Sequence, residues 1–373
     1  MSGTAQRRSG AAARRSDAAF DRLAERLRDA GLDDVARDAP LGTLTTYRVG
    51  GTAALSVKVA SERELRQVRD VVCSSGARAS SGARASSDDG ACEGARDGLA
   101  VLVVGNGSNL LVADAGFRGL ALHLGSELAE IELPGGPSDV PHDGAGAVVR
   151  AGGAAGMPVL ARRTVDAGLR GLEWAVGIPG SVGGALKMNA GGHGADTASC
   201  LRRYRWLDVL SPQEGEDGAS RLGLGYRTSL LLDSEVVVWA EFDVRRGDRA
   251  DGRAELSAIV RWRREHQPGG SNAGSVFVNP PDDAAGRLID AAGLKGFRLG
   301  TAKVSEKHAN FIQADDGGSA DDVLDLMLHV RRTVASTHGV ELRAEVKLVG
   351  FPPARVAALR GLDDGETVTG VDA

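Results

Sequence analysis

Residues 177–192 read GIPGSVGGALKMNAGG, six glycines in sixteen residues. A stretch with so little side chain has almost nothing to pack, and the use of a residue without a Cβ is to let backbone approach another group closely. A second concentration, GNGSN at residues 105–109, follows the continuous apolar run from Leu99 to Val104. That run predicts a buried strand entering a tight turn. Exposed N–H groups in a glycine-rich turn form a nest for anions. Neither stretch is a dinucleotide fingerprint: GNGSNL lacks the third glycine, and no Lys-Ser/Thr follows as in a P-loop. Taken alone, the turn reads better as an ordinary tight turn. Two such segments about seventy residues apart, each after an apolar run, are what a long pyrophosphate-containing cofactor needs if strands bring them together. Loop flexibility is the plainer account.

Around these segments lies a chain of 373 residues, 42% hydrophobic, 25% charged and 4% aromatic, with 52 glycines and a formal net charge of −5. The length predicts two or three domains, each burying a core. The acidic balance lacks the electrostatic footprint of phosphate-backbone binding, so nucleic acid is not an expected partner. Cys73, Cys92 and Cys200 are odd in number and widely spaced, which supports neither a disulfide framework nor a structural zinc site. No apolar run approaches a membrane span, and Arg7, Arg8, Arg14 and Arg15 precede no signal-peptide core. The expected location is cytoplasmic.

The first sixteen residues show no periodicity and read as a disordered tail. Phe20, Leu23, Ala24, Leu27 and Ala30 fall at helical spacing, closed by Gly31. Ser61 with Glu64 predicts a capping box, and Leu65, Val68 and Val72 the buried stripe behind it. Between Ser74 and Gly98 the repeat SSGARASSGARASS offers almost nothing large and apolar and reads as a disordered insert. Pro134–Gly146 and Ser211–Ser220 read as surface loops. Asp282 is expected to start a short helix through Leu288 and Ile289. Ser319 with Asp322 starts a longer one, with Val323, Leu326, Met327, Val330 and Val334 buried and Gly339 as its stop. VELRAEVKLV alternates strictly from Val340 and predicts a strand with Glu341, Arg343, Glu345 and Lys347 on its polar face. The residues after Pro352 and Pro353 look irregular.

Several side chains could carry chemistry, each with a plainer alternative. Tyr226 and Arg227 put a phenol and a guanidinium side by side in GYRTS, which by itself is a surface pair. Ser275, after Gly274 in NAGSVF, sits where a turn can open its hydroxyl to a ligand, although turn serines more often bond their own backbone. Glu345 lies on the charged strand face, whose simplest meaning is solvation. His308 lacks companions at metal-ligand spacing, so no metal is expected.

In order, TTYRVGG from Thr45, VVGNGSNLLV from Val103, GIPGSVGGALKMNAG from Gly177, GYRTS from Gly225, NAGSVFVNP from Asn272, AGLKGFRLGTAKVSEKHANFI from Ala292 and ELRAEVKLVG from Glu341 cover the ordered chain. This series resembles the flavin-dependent UDP-N-acetylenolpyruvoylglucosamine reductases of bacterial peptidoglycan synthesis, in the form without an extra excursion in the substrate domain. The resemblance implies an α+β fold. An FAD-binding region at 17–246, of the vanillyl-alcohol-oxidase (PCMH) two-part type from about residue 47 and carrying the insert at 74–98, precedes an α+β substrate-binding domain at 247–352. Residues 1–16 and 353–373 are tails.

The resemblance further implies reduction of UDP-N-acetylenolpyruvoylglucosamine to UDP-N-acetylmuramate by NADPH through non-covalent FAD. Gly105, Asn106, Gly107, Ser108, Asn109, Gly177, Ile178, Pro179, Gly180, Ser181, Gly183, Gly184, Asn189 and Gly191 are then cofactor-binding. Arg227, Ser275 and Glu345 are catalytic: Arg227 clamps the substrate carboxylate, Glu345 donates a hydrogen bond to it, and Ser275 delivers a proton. Tyr226 and Asn279 are substrate-binding. The implied partners are the sugar nucleotide and NADPH, with no nucleic acid and no membrane span, in a monomer or weak oligomer. Three positions depart from the family pattern. Val278 and His266 stand where lysines are usual, leaving Arg263 and Arg264 to supply positive charge for the substrate diphosphate. The usual aromatic of this motif is replaced, giving Gly192 and His193; no covalent histidyl link is inferred. Two rival readings are a nucleotide-sugar-binding protein of the same fold without turnover and an FAD oxidase of the wider group.

Overall fold

The structure, a computed structural model, describes residues 17–75, 98–134 and 146–359. The expected tail at 1–16, most of the insert and of the 134–146 break, and the end of the chain lie outside the described residues.

Residues 17–29 form α1, which buries Phe20, Leu23, Ala24 and Leu27 and stops at Gly31 with φ +86°. Then come β1 (Val35–Pro40), β2 (Thr52–Val59), α2 (Glu62–Ser74), β3 (Val101–Val104), β4 (Leu110–Val112) and β5 (Phe117–Leu124). β1, β2, β5 and β3 make a sheet in that order, with β1 antiparallel to β2 and the rest parallel. The Ser61 hydroxyl accepts from the Glu64 N–H at 3.2 Å, as the capping box predicts. The Glu64 carboxylate reaches back one residue further than expected, to the Ala60 N–H at 2.7 Å.

A second unit follows: β6 (Ile131–Glu132), β7 (Ala147–Gly152), α3 (Met157–Asp166), β8 (Leu169–Arg170), α4 (Val182–Met188), β9 (Gly191–Gly192), β10 (Ala195–Asp196), β11 (Leu201–Asp208), β12 (Glu214–Gly218), β13 (Glu235–Arg246) and α5 (Arg249–His266). Its antiparallel sheet runs β12-β11-β13-β7-β6. Side chains alternate along β13 on each side of a bulge at Val238, which resets the faces so that Val237, Ala240 and Phe242 all join the core under α3 and α4. Val236 and Val238 point the other way, into the core shared with Leu55, Leu65 and Leu122 of the first unit. The two units are thus packed through a common apolar layer.

The third unit holds α6 (Ala285–Ala291), β14 (Arg298–Leu299), β15 (Ala302–Val304), β16 (Ile312–Ala314), α7 (Ala320–His338), β17 (Lys347–Val349) and α8 (Pro353–Ala357). Phe277, Leu288, Ile289, Val304, Met327 and Val330 are buried in its core. The Ser319 hydroxyl accepts from the Asp322 N–H at 3.1 Å and Gly339 ends α7 at φ +69°, both as read from sequence. β17 pairs in parallel with β4, Lys347 opposite Leu110, and stitches the end of the chain to the first unit. This α+β arrangement bears out the expected fold class.

Four local expectations need correction. Ser211–Ser220 is not simply a loop, since β12 pairs with β11 as an edge strand. Its glycine-interrupted sequence buries little, but Glu214 and Glu216 meet Arg66, Arg205 and Arg203 on the neighbouring elements. The helix expected from Asp282 starts at Ala285, because the Asn279 side-chain oxygen caps the Ala285 N–H at 3.0 Å. VELRAEVKLV does not form one strand: Ala344 makes an isolated bridge to Phe277, the chain bends at Val346, and only Lys347–Val349 continue as β17. Residues 353–357 are helical rather than irregular.

Candidate active site

The two glycine-rich segments meet. Gly105–Asn109 leaves β3 and Gly177–Gly184 leads into α4, and the Asn106 side-chain amide donates to the Pro179 carbonyl at 3.1 Å. A Cβ on Gly105 would stand 2.3 Å from the Ser181 hydroxyl oxygen, so a larger residue there would push that hydroxyl aside. Between them opens a cleft of about 570 Å³. Gly105, Asn106, Gly107, Ser108, Asn109, Gly177, Ile178, Pro179, Gly180, Ser181, Gly183, Gly184 and Gly191 all line it. Backbone amides, hydroxyls and a carboxamide, with a cradle that side chains would fill, are a donor set that fits a pyrophosphate-containing cofactor such as FAD.

Asn189 does not share that lining. At φ +39° it ends α4, and its side chain is committed within the protein: to the Gly225 carbonyl at 2.8 Å, the Asp196 carboxylate at 3.2 Å and the Ala198 N–H at 3.0 Å. Its work is to brace the turn that carries Arg227.

Arg227, Ser275 and Glu345 come from three distant parts of the chain and line the same cleft. Arg227 sits on a turn at φ +60°, and its guanidinium donates to the Gly191 carbonyl at 3.3 Å. The Arg227 Nε lies 2.8 Å from Glu345 Oε1, but its N–H is not aligned to donate, so this is an ion pair with one buried guanidinium N–H left unsatisfied. Backbone pairing brings Glu345 against the segment that follows Ser275. The Glu345 N–H donates to the Val276 carbonyl at 2.9 Å, and the Val278 N–H to the Arg343 carbonyl at 2.9 Å. The Asn109 side chain holds the Glu345 carbonyl at 3.1 Å, tying the glycine turn to this pair. Glu345 is only 14% exposed at its side chain, so the solvated-face reading fails. Burial pushes its carboxyl above the usual range, against the opposing pull of Arg227.

Tyr226 is 60% exposed and Asn279 is exposed; neither lines the cleft. The Asn279 side-chain oxygen caps α6 by accepting from the Ala285 N–H at 3.0 Å. His308 is also structural: its Nδ1 accepts from the Asn310 N–H at 3.2 Å and its ring meets Phe311.

Sequence reasoning gave no role to Lys187, Lys347, Asp233, Trp262 and Gln267, which complete the cleft wall. Lys187 and Lys347 converge on Asp233, at 3.0 and 2.5 Å, and although burial alone would raise the Asp233 carboxyl, the two ammonium groups hold it well below the ordinary range. The position of Lys347, two residues after Glu345, was the available signal. Trp262, Arg263 and Gln267 at the end of α5 line the cleft together with His193. His193 meets the edge of Trp262 at 5.2 Å between centroids, and His266 stacks on it at 4.7 Å. Among the described residues no helix is long and apolar enough to cross a membrane.

Comparison with known proteins agrees with this geometry. Residues 92–216 match the family model described as FAD binding domain, and residues 266–349 that of the C-terminal domain of UDP-N-acetylenolpyruvoylglucosamine reductase. UDP-N-acetylenolpyruvoylglucosamine reductase 2 of Symbiobacterium thermophilum is 39% identical over 345 residues, covering 89% of this chain and 99% of that relative. The reductase of Rubrobacter xylanophilus is 38% identical over 320 residues, covering 84% and 95%. Among solved structures, the reductase from Thermus caldophilus superposes with a TM-score of 0.65 at 29% identity, over 85% of this chain and 98% of that one. The chain belongs to the UDP-N-acetylenolpyruvoylglucosamine reductase family, and the protein is an oxidoreductase with an FAD-binding domain.

Proposed function

We propose that the protein uses NADPH, through non-covalently bound FAD, to reduce UDP-N-acetylenolpyruvoylglucosamine to UDP-N-acetylmuramate, in the cytoplasm. The observation that carries this reading is the arrival of Arg227, Ser275 and Glu345 in the cleft lined by both glycine segments. FAD, when bound, supplies the two-electron relay between nicotinamide and alkene. The backbone amides of Gly105–Asn109 and Gly177–Ser181, with the Ser108 and Ser181 hydroxyls, would hold its pyrophosphate.

The remaining work falls to side chains. Hydride arriving at the terminal methylene carbon breaks the alkene π bond and leaves an electron pair on the carbon beside the carboxylate. Arg227 lines the cleft and is placed to bind that carboxylate, and a preorganised guanidinium stabilises the charge spreading into it. Glu345, its carboxyl raised by burial, donates a hydrogen bond to the same group. The Ser275 hydroxyl gives its proton to the carbanionic carbon, completing addition of H⁻ and H⁺ across the double bond. The alkoxide left behind is stabilised by neighbouring positive charge and regains a proton from solvent.

Replacing Ser275→Ala tests the assignment. In anaerobic stopped-flow experiments, bleaching of the flavin by NADPH is expected to proceed at the wild-type rate. Return of its absorbance on adding the enolpyruvyl substrate should slow by about 10²–10⁴-fold. Equal slowing of both half-reactions would remove Ser275 from its role.

A further inference from the structure

Two ion pairs of opposite sense cross from the second unit to the third along one wall of the cleft. Arg227 of the second unit meets Glu345 of the third at 2.8 Å, and six residues on, Asp233 meets Lys347 at 2.5 Å. Lys187, in the last turn of α4, reaches the same Asp233 oxygen, Oδ1, at 3.0 Å. All five side chains line the cleft, while Val346, between Glu345 and Lys347, is buried in the core. Extended chain advances about 3.3 Å per residue, so Lys347 starts within a lysine stem's reach of Glu345. Its root is fixed, its N–H donating to the Asn109 carbonyl at 3.0 Å, and the choice between Asp233 and Glu345 is made by the side chain.

That choice bears on the proton of Glu345. Burial keeps the proton on, against the opposing charge of Arg227. A further ammonium about 7 Å away would add to that pull by about one pH unit where water is largely excluded. Asp233 takes up both ammonium groups instead. Burial alone would raise its own carboxyl, yet Lys347 and Lys187 hold it well below the ordinary range, so it is still a carboxylate where Glu345 titrates. The remaining charged groups of the wall are engaged on other elements. Glu235 accepts from Arg221 and from the Leu232 N–H, Arg263 is tethered to Gln267, and His193 meets Trp262. Arg343, two residues before Glu345, does not line the cleft.

Resting on the reading that Glu345 acts as a protonated donor, we propose that Asp233 is a positioning residue for the reaction: it draws Lys347 and Lys187 away from Glu345, which keeps that carboxyl able to donate to the substrate carboxylate.

The test uses the full-length, FAD-loaded protein and reads the pH profile of flavin reoxidation by the enolpyruvyl substrate in anaerobic stopped flow. In Asp233→Asn the alkaline limb should lie about one pH unit lower, so that a loss of about tenfold on the alkaline side disappears on the acid side. Asp233→Glu should return the limb toward its wild-type position. So should Lys347→Gln placed on top of Asp233→Asn, because the released charge is then gone. A uniform loss at every pH with the limb unmoved overturns the proposal and leaves Asp233 a structural residue. A loss of FAD affinity with the limb unmoved also overturns it, and assigns the lysines to the cofactor. If Asp233→Asn does not fold, Asp233→Ser is read in the same way. Glu345→Gln separates the proposal from the reading beneath it. A limb that survives in Glu345→Gln sinks the donor role of Glu345, whereas a limb that vanishes there but stays in place in Asp233→Asn sinks the role of Asp233 alone. Infrared difference spectra of the resting protein against Glu345→Gln follow the protonated carboxyl without turnover. Its band should disappear about one pH unit lower when Asp233 is replaced by Asn, and a band that does not move overturns the proposal whatever substrate the enzyme reduces.

Discussion

Glu345 shows what a single carboxyl gains from its surroundings. In sequence it is one of four charges alternating with apolar residues, and that pattern by itself says solvent. In the structure its backbone is pinned to Val276 and Asn109, its side chain is mostly buried, and burial outweighs the pull of Arg227 on its proton. A raised pKa keeps the proton on at a pH where an exposed glutamate has lost it, so the donor form declines as pH rises through that elevated value. The rate of flavin reoxidation by substrate is therefore expected to fall toward alkaline pH. Glu345→Gln keeps an N–H donor but cannot titrate, so its pH–rate profile should lose that limb at a rate about tenfold lower. The same limb persisting in the variant would assign it to another group. Asn189 teaches the converse, because a residue inside a correctly read motif spends every side-chain atom on the protein.

At the scale of elements, capping signals were legible and the 340–349 segment was not. Ser61, Ser319 and Gly339 act within a few residues of their own positions, so local chemistry decides them. Alternation from Val340 to Leu348 predicts a strand, but a strand needs a partner along its length. Here the partner changes from Ser275–Val278 to β4, and the bend at Val346 is the crossing point. The first of these pairings is held by Asn310, whose buried side chain accepts from the Phe277 N–H at 3.0 Å and donates to its carbonyl at 2.8 Å. Asn310→Ala leaves both groups buried and unpaired, at about 1–3 kcal/mol each. Urea denaturation should show a loss of about 2–6 kcal/mol. The reoxidation half-reaction should suffer more than bleaching by NADPH, since Ser275 lies two residues from Phe277. A change below about 0.5 kcal/mol would mean that the neighbouring backbone pairing suffices without Asn310.

The whole molecule converges on one seam. β17 lies parallel to β4, the Ala113 N–H donates to the Val349 carbonyl at 2.8 Å, and Gly350 follows at φ +77° with its Cα against the Gly116 carbonyl. A Cβ on Gly350 would come within 2.1 Å of that oxygen. Gly350→Ala is expected to cost about 2–4 kcal/mol from backbone strain and contact, to lower the melting temperature, and to slow substrate-driven reoxidation more than flavin reduction. Calorimetry and the two half-reactions measure this, and an unchanged melting temperature would show the seam to be dispensable. The sequence by itself determined the glycine turns, the capped helices, the apolar stripes and the ordered motifs that mark the family, because each is written in neighbouring residues. Only the tertiary structure decided that residues 105, 181, 227, 275 and 345 share a cleft, that Arg263 faces it while Arg264 and His266 do not, and that the Asn279 oxygen caps α6 while the Asn189 side chain braces the Gly225 turn. Those outcomes depend on which distant backbones pair and which charges are thereby stripped of water, and neither is encoded in any local spacing.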